Sequence, residues 1–413
     1  MINMKRKLKI ATLFSGIGSV EESLKQLNID SQIVFASDNG ERSPSLQRDL
    51  LFEVAANIFN KNELKRFTQD ITKAGMERIG LADDVIDIDI PEYDILDLRL
   101  ALLSFSDTKR ELFISKWYES TGKPNFMREA YFANYDIDKD NWYEDVRFIN
   151  GKIYNGKVDL MVGGSPCQSF STFGKKRGLE DTRGTLFYDY ARLISETSPK
   201  VFIYENVKGL LTHDKKRTWK IMKEVFESLD YKIHYQVLNA KDYGLPQLRN
   251  RIFVVGIRRD ITKSKSEYEF PQPIELTKKS TDYLDELVDD KYYLGTKGFE
   301  WMTNVSKNGR RSRVNQDIIG CQTAYQQDNW IGDFRMEKPK PHHYGHSRIY
   351  VGKYNGQDAV VRKMTGRECL RLMGFEFFNP IHSDKQVYRH SGNSIAVPVM
   401  NALLKSLYKY LDD

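Results

Sequence analysis

Short apolar runs alternate along this chain with stretches whose apolar residues recur every three or four positions. Runs over 8–14, 32–37, 158–162, 201–204, 232–238 and 252–257 have the length and apolar content of strands, and 158–162 reads as a buried one. After the first of them, Val20, Leu24 and Leu27 fall on one helical face. A second helical stripe runs through Leu46, Leu50, Leu51, Val54, Ile58 and Phe59, with Ser43-Pro44 as its expected start. Further stripes cover 186–195 and the set Trp219, Met222, Phe226 and Leu229. Regular alternation of strand and helix predicts an α/β fold, a parallel sheet with crossover helices.

Two segments break the alternation. Residues 73–150 read as an insertion, acidic first (Asp83, Asp84, Asp87, Asp89, Glu92, Asp94, Asp97) and then aromatic (Trp117, Tyr118, Tyr131, Phe132, Trp142, Tyr143). It is expected to be a decorating subdomain packed by those rings, with Asn150-Gly151 as a hairpin turn back to the core. Residues 266–360 are polar and irregular, with Lys307, Arg310, Arg311, Arg313, Arg335, Lys338, Lys340 and Arg348. Composition alone leaves a solvated face and a nucleic-acid surface equally open there. Pattern returns at Thr365-Gly366-Arg367-Glu368, a capping box. The closing helix carries Val399, Leu403, Leu407 and Leu411 on one face, which is expected to return to the sheet. The division expected is a catalytic and cofactor-binding unit over 1–265, a second unit over 266–360, and a motif-bearing segment over 361–413.

Composition narrows the class. At 413 residues, 40% hydrophobic and 29% charged, the chain is globular, and its net charge of +6 permits a nucleic-acid partner without requiring one. Three cysteines are too few for a disulfide framework and point to a reducing compartment. The basic start is followed by no long apolar segment, so neither signal peptide nor membrane span is expected, and the location expected is cytoplasmic. His342, His343 and His346 have no cysteine near them, and no metal is expected.

The chemistry concentrates at strand ends. The run 158–162 leads into Gly163-Gly164-Ser165-Pro166-Cys167, which presents a cysteine on a sharply turned backbone at the carboxyl edge of the sheet. That placement favours a nucleophile. Tyr204-Glu205-Asn206-Val207 ends the next strand, placing a carboxylic acid at the same edge, suited to protonating a substrate as the thiol attacks. In Gln247-Leu248-Arg249-Asn250-Arg251, alternation puts Gln247, Arg249 and Arg251 on one face. The first strand ends in the turn Ser15-Gly16-Ile17-Gly18, but Glu21 stands where a dinucleotide fingerprint needs its third glycine. Glu21 and Glu22 are expected to repel a pyrophosphate, and Asp38 to receive ribose hydroxyls. A glycine turn with such an acid and no phosphate binder suggests S-adenosyl-L-methionine.

The set Phe14-Ser15-Gly16-Ile17-Gly18, Pro166-Cys167-Gln168, Glu205-Asn206-Val207, Gln247-Leu248-Arg249-Asn250-Arg251 and Gly392-Asn393-Ser394, in this order, resembles the DNA cytosine-5 methyltransferase family in its bacterial restriction-modification form. The resemblance implies a Rossmann-like S-adenosylmethionine-dependent methyltransferase sheet with a smaller, irregular target-recognition domain at 266–360. It implies Cys167, Glu205, Arg249 and Arg251 as the catalytic set, acting on a cytosine flipped from double-stranded DNA. Cofactor contacts are expected at Phe14, Ser15, Gly16, Ile17, Gly18, Asp38, Asn39, Asp70, Ile71, Pro166, Leu186, Asn393 and Ser394, with Asp70 meeting the adenine amino group. DNA contacts are expected at Gln168, Ser171, Lys175, Lys176, Arg177 and Arg183 in a basic, hinged loop, and at Arg310, Arg311 and Arg313. A cognate restriction endonuclease encoded nearby and a monomeric enzyme also follow.

The sequence departs from the family at Asp38, where glutamate is commoner, at Asn39, and in the length of the insertion, read as lying between the adenine-contact and cysteine motifs. Three rivals stand beside this reading. An RNA (tRNA) cytosine-5 methyltransferase would not carry so large a recognition segment. A catalytically inactive DNA-binding relative would not retain Cys167, Glu205 and Arg251, and a small-molecule methyltransferase would not need the basic loop.

Overall fold

The first apolar run of the chain becomes an interior strand of a seven-stranded sheet in the computed structural model, which describes residues 6–80, 90–165, 186–263, 265–304, 306, 312–328 and 330–412. The strands are β1 (Leu8–Leu13), β2 (Ser31–Ser37), β3 (Trp142–Tyr143), β4 (Leu160–Gly163), β5 (Val201–Val207), β6 (Tyr231–Asn239) and β7 (Asn250–Arg258). Their order is β3-β2-β1-β4-β5-β7-β6. The first five in that order are parallel, and β7 runs antiparallel between β5 and β6. The reversal has a simple cause. Residues 240–249, which join β6 to β7, are too few for a crossover helix, so β7 must turn back on its predecessor.

Alternate residues of each strand feed two layers. Ile10, Val162 and Ile203 enter one buried cluster with Leu24 of α1 (Ser19–Gln26) and with Val399, Leu403, Leu407 and Leu411 of the closing helix Val397–Leu411. Ala11, Met161 and Phe202 enter the opposite cluster, against Phe187 and Ile194 on one helix (Leu186–Thr197) and Met222 and Phe226 on another (Arg217–Glu227). A parallel strand covered on both faces buries consecutive residues, as β1 does from Ile10 to Leu13.

Five helices, α2 (Arg48–Ala56), α3 (Lys61–Arg78), α4 (Ile95–Leu102), α5 (Asp107–Glu119) and α6 (Phe126–Phe132), fill the interval between β2 and β3. They have their own core, which includes Leu51, Phe67, Ile71, Leu98, Phe113, Trp117 and Tyr118. Three sequence expectations change here. The helical unit starts well before residue 73, which lies inside α3, and it precedes β3. The second helix begins at Arg48 with Gln47 as its cap, so Ser43-Pro44 is not its start. Asn150-Gly151 opens a short 3₁₀ turn, Gly151–Tyr154, and makes no hairpin.

The segment after 266 is more regular than its composition suggested. Strands β8 (Ser312–Val314), β9 (Gly332–Glu337), β10 (Gly352–Tyr354) and β11 (Gln357–Arg362) form a second sheet, ordered β10-β11-β9-β8. Phe299 and Met302 from the helix Thr296–Thr303 pack on Phe334, Met336 and Val361 of this sheet. Asn355 and Gly356, both left-handed at φ 49° and 79°, make the tight hairpin between β10 and β11. The capping box forms as read, with the Thr365 side chain on the Glu368 N–H and the Glu368 side chain on the Thr365 N–H.

Candidate active site

Because β7 is reversed, its first residues lie at the carboxyl edge of β5. Val207 is paired with Arg251 and Glu205 with Phe253, so Glu205 and Arg251 are diagonal neighbours on one face of the sheet. Arg251 Nε meets Glu205 Oε1 at 3.1 Å, with both side chains less than one-fifth exposed. Burial raises the Glu205 carboxyl above its ordinary value; Arg251 and Arg249 pull it down but do not cancel that effect. A carboxyl held toward its acid form beside a guanidinium can both donate a proton and grip a polar ring.

The chain just before Cys167 is anchored to β5. Asn206 donates from Nδ2 to the Ser165 carbonyl at 3.0 Å and to the Tyr204 hydroxyl at 2.9 Å, and the Ser165 and Tyr204 hydroxyls are 2.7 Å apart. Gly164 has to be glycine, because a Cβ there would collide with the Glu205 carbonyl oxygen. Pro166, Cys167, Gln168, Ser171, Lys175, Lys176, Arg177 and Arg183 lie outside the described residues, as do Arg310 and Arg311.

Arg249 has a different place from its neighbour. Its guanidinium is 3% exposed and donates to three backbone carbonyls, Gln322 at 3.0 Å, Gly392 at 3.0 Å and Ser394 at 2.6 Å, with Cys321 Sγ at 3.4 Å. Burial pushes its pKa down to about 10, which leaves it charged at neutral pH. Arg249 therefore ties β7 to the second unit and to the 392–394 segment. Gln247 does similar work, accepting from the Gln322 N–H and donating to the Leu372 carbonyl.

A cavity opens beside Glu205, lined by Phe14, Ser15, Gly16, Gly163, Gly164, Asn393 and Ser394 among others. Among the described residues no basic side chain lines it, which fits a cofactor without phosphate. Phe14 and Gly16 both adopt left-handed backbone, at φ 55° each. Asp38 holds this turn. One carboxylate oxygen accepts from the Gly16 N–H at 2.9 Å and the other from the Gly40 N–H at 2.8 Å. Burial raises its pKa despite those bonds. Asn39 closes its own loop, accepting from the Glu41 N–H and donating to the Arg42 carbonyl. Ile17 is fully buried in the core, Gly18 caps α1, and Leu186 begins its helix with its side chain packed on the sheet. Asn393 Nδ2 donates to Glu41 at 2.7 Å.

Several expected residues are placed elsewhere. Asp70 and Ile71 sit within α3; Ile71 is wholly buried in the helical core and Asp70 accepts from Ser104 Oγ. At the sheet edge beside Asp38 stand instead Glu144 and Asp145, which follow β3, itself paired to the end of β2. Sequence reasoning missed them because a two-residue strand gives no periodic signal. Glu21 and Glu22 face the interior. Glu21 accepts from Thr12 and Tyr131, and Glu22 from the N–H groups of Glu376 and Phe377, so their charge is not aimed at a ligand. Arg313 pairs with Asp333, a 3% exposed carboxylate, at 2.8 Å. His342, His343 and His346 surround Asp290, with Nε2 at 3.2, 4.0 and 3.9 Å. The Nδ1 atoms of His343 and His346 accept backbone N–H groups, which puts the proton on Nε2, facing the carboxylate. Asp290, His342 and His343 bring one ligand atom each within 4.8 Å of one another, and His343 Nε2 is buried without a hydrogen-bond partner among the described residues.

A family profile described as "C-5 cytosine-specific DNA methylase" matches residues 105–409. The chain belongs to the C-5 cytosine-specific DNA methylases. Its similarity to Type II methyltransferase M.SsoII of Shigella sonnei is 36% identity over 330 residues, covering 78% of this chain and 81% of that protein. To Type II methyltransferase M1.ScrFI of Lactococcus lactis subsp. cremoris it is 38% over 331 residues, covering 78% and 79%. The crystal structure of S. pombe Dnmt2 methyltransferase superimposes with a TM-score of 0.55 at 16% identity over 97% of this chain and 98% of that one, a likeness of fold. As a member of the family the chain is a DNA (cytosine-5-)-methyltransferase of restriction-modification type, with S-adenosyl-L-methionine as methyl donor. Its large sheet is accordingly the methyltransferase sheet, and the cavity beside Glu205 lies at its carboxyl edge, where open α/β sheets bind ligands. Among the described residues, no helix of this methylase is long and apolar enough to cross a membrane.

Proposed function

We propose that the enzyme methylates carbon 5 of a cytosine flipped out of duplex DNA, through a transient covalent bond to Cys167. The buried Glu205–Arg251 pair at the edge of the cavity carries this reading. The Cys167 thiolate adds to carbon 6 of the ring, and Glu205 gives its proton to ring nitrogen 3 as the electron pair moves. Burial favours the acid form of Glu205 that this step needs. Arg251 holds the base oxygen. Carbon 5 becomes electron-rich and is the position methylated. S-Adenosyl-L-methionine, when bound, supplies an electrophilic methyl group. Loss of the carbon-5 proton to solvent then expels the Cys167 thiolate, and Glu205 takes back its proton from ring nitrogen 3.

Phe14, Ser15, Gly16, Asn393 and Ser394 would hold the cofactor in the cavity; Glu144, paired with Arg42 and Arg128, and Asp145, paired with Arg147, stand outside its lining at the sheet edge beyond Asp38. Arg249 acts on the catalytic groups by holding backbone and does not touch the base. The unit with the second sheet would read the target sequence, with the loop from Ser169 to Gly184 closing over DNA. Activity as a monomer in the cytoplasm beside a cognate endonuclease completes the proposal. Tritium transfer from labelled S-adenosyl-L-methionine to duplex DNA, single strands and transfer RNA tests it. Label in duplex DNA alone is expected, and label confined to transfer RNA would overturn the substrate assignment.

A further inference from the structure

The helical unit between β2 and β3 does more than cover the sheet. Asn125, the N-cap of α6, is fully buried, and its side chain uses both ends. Oδ1 accepts the Arg128 N–H at 3.0 Å and so starts the helix. Nδ2 donates to the Asp38 carbonyl at 2.8 Å and to Glu144 Oε2 at 2.9 Å. One amide thus joins the loop after β2 to the end of β3. The approach is close enough that a Cβ at Gly40 would collide with Asn125. Two more contacts from the same unit fasten that loop. The Arg42 guanidinium lies over the Tyr118 ring, 4.9 Å from its centroid, and Trp117 Nε1 donates to the Ser45 carbonyl at 2.8 Å. The loop in turn holds the cavity, because the Asp38 carboxylate binds the Gly16 N–H.

We infer that the helical unit buttresses the cofactor site from behind, through the loop after β2, and that Asn125 is a positioning residue which sets the Asp38–Gly16 turn for S-adenosyl-L-methionine. This rests on the reading of that cavity as the cofactor site. A free helical unit would let the loop move, and affinity for cofactor would fall while chemistry on bound cofactor persisted.

The test measures S-adenosyl-L-methionine affinity by calorimetry, kcat at saturating cofactor, and duplex DNA affinity without cofactor, on the full chain. Asn125→Ala is expected to weaken cofactor binding about tenfold or more, a factor worth ~1.4 kcal/mol, with kcat and DNA affinity within about twofold of wild type. Trp117→Phe, which removes the indole N–H together with its five-membered ring, is expected to weaken cofactor binding about threefold and serves if Asn125→Ala does not fold. Lys116→Ala, on the exposed face of the same helix as Trp117, should change nothing. Gly16→Val, which fills the cavity, separates the two readings. If Gly16→Val abolishes cofactor binding while folded Asn125→Ala and Trp117→Phe bind as wild type, the inference is wrong and the cavity assignment stands. If Gly16→Val binds cofactor normally, the cavity assignment itself falls. Equal losses of cofactor and DNA affinity in Asn125→Ala and Trp117→Phe would mean general loosening and would also overturn the inference.

Discussion

Replacing Arg249 with alanine removes one guanidinium and its hydrogen bonds to three buried carbonyls, those of Gln322, Gly392 and Ser394. Two effects oppose each other. Burial of the charge depresses the Arg249 pKa from 12.5 to about 10, a cost of ~3 kcal/mol that the substitution relieves. Against it stand three charge-assisted hydrogen bonds at ~1.5–3 kcal/mol each, so ~5–9 kcal/mol is lost. The bonds win, and the net destabilisation is ~2–6 kcal/mol, a large share of the ~5–15 kcal/mol that holds a protein folded. Lysine should fall between, because one ammonium does not span three carbonyls in fork geometry. The assay is a thermal melt with cofactor affinity measured on the same samples. Because Ser394 lines the cavity and accepts from Arg249, cofactor affinity should fall along with the melting temperature. A melting point within ~1 °C of wild type, which for a chain of 413 residues is under ~1 kcal/mol, with cofactor affinity unchanged, would refute the clamp.

The remaining predictions concern neighbouring groups. Glu205→Gln should lower kcat by ~10²–10⁴-fold, as loss of a proton donor does, and leave cofactor affinity unchanged in calorimetry. Since burial raises the Glu205 carboxyl above 4.5, its contribution to stability is present in acid and is lost as pH rises through that raised value. Melting curves against pH should therefore move in favour of Glu205→Gln toward alkaline pH, and a trend in the opposite direction would contradict the assignment. Arg313→Ala should strand the buried Asp333 carboxylate and cost ~3 kcal/mol in denaturant melts; an unchanged melt with weaker, less salt-dependent DNA binding would restore Arg313 as a DNA contact. Exchange of residues 266–360 for the corresponding part of a relative should change which sequence bisulfite sequencing finds methylated, and an active chimera that marks the original site would move recognition elsewhere.

The main sheet was legible because its strands are long or buried on both faces. The runs that became β1, β2, β4, β5, β6 and β7 could not be mistaken, and Glu205 and the arginines followed from their positions at strand ends. What the sequence hid was short. Two residues at β3 and three at β8 are below any period, so Glu144 and Asp145 went unseen and the second unit looked irregular. Asp70 was misplaced because Asp-Ile-Thr reads alike after a strand and within a helix. The deciding signal was ten residues upstream, where Asn60 and Glu63 form the capping box that starts α3. Asn150-Gly151 and Asn355-Gly356 carry the same turn signal, but only the second has strands able to pair across it. Arg249 and Arg251 share a face by alternation, yet the packing of Gln322 and Ser394 against one of them separates a backbone clamp from the ion-pair partner of Glu205, and that packing is long-range.

The central claim is a covalent bond between Cys167 and the target base. A duplex carrying 5-fluorocytosine at a position already mapped as the methylated one tests it most directly, because fluorine cannot leave as a cation and the methylated adduct cannot eliminate. With S-adenosyl-L-methionine present, wild-type enzyme should run as a shifted protein–DNA band on a denaturing gel, and Cys167→Ala, still binding cofactor, should not. No shifted band with wild type on the mapped target, or a band that survives Cys167→Ala, would contradict the account.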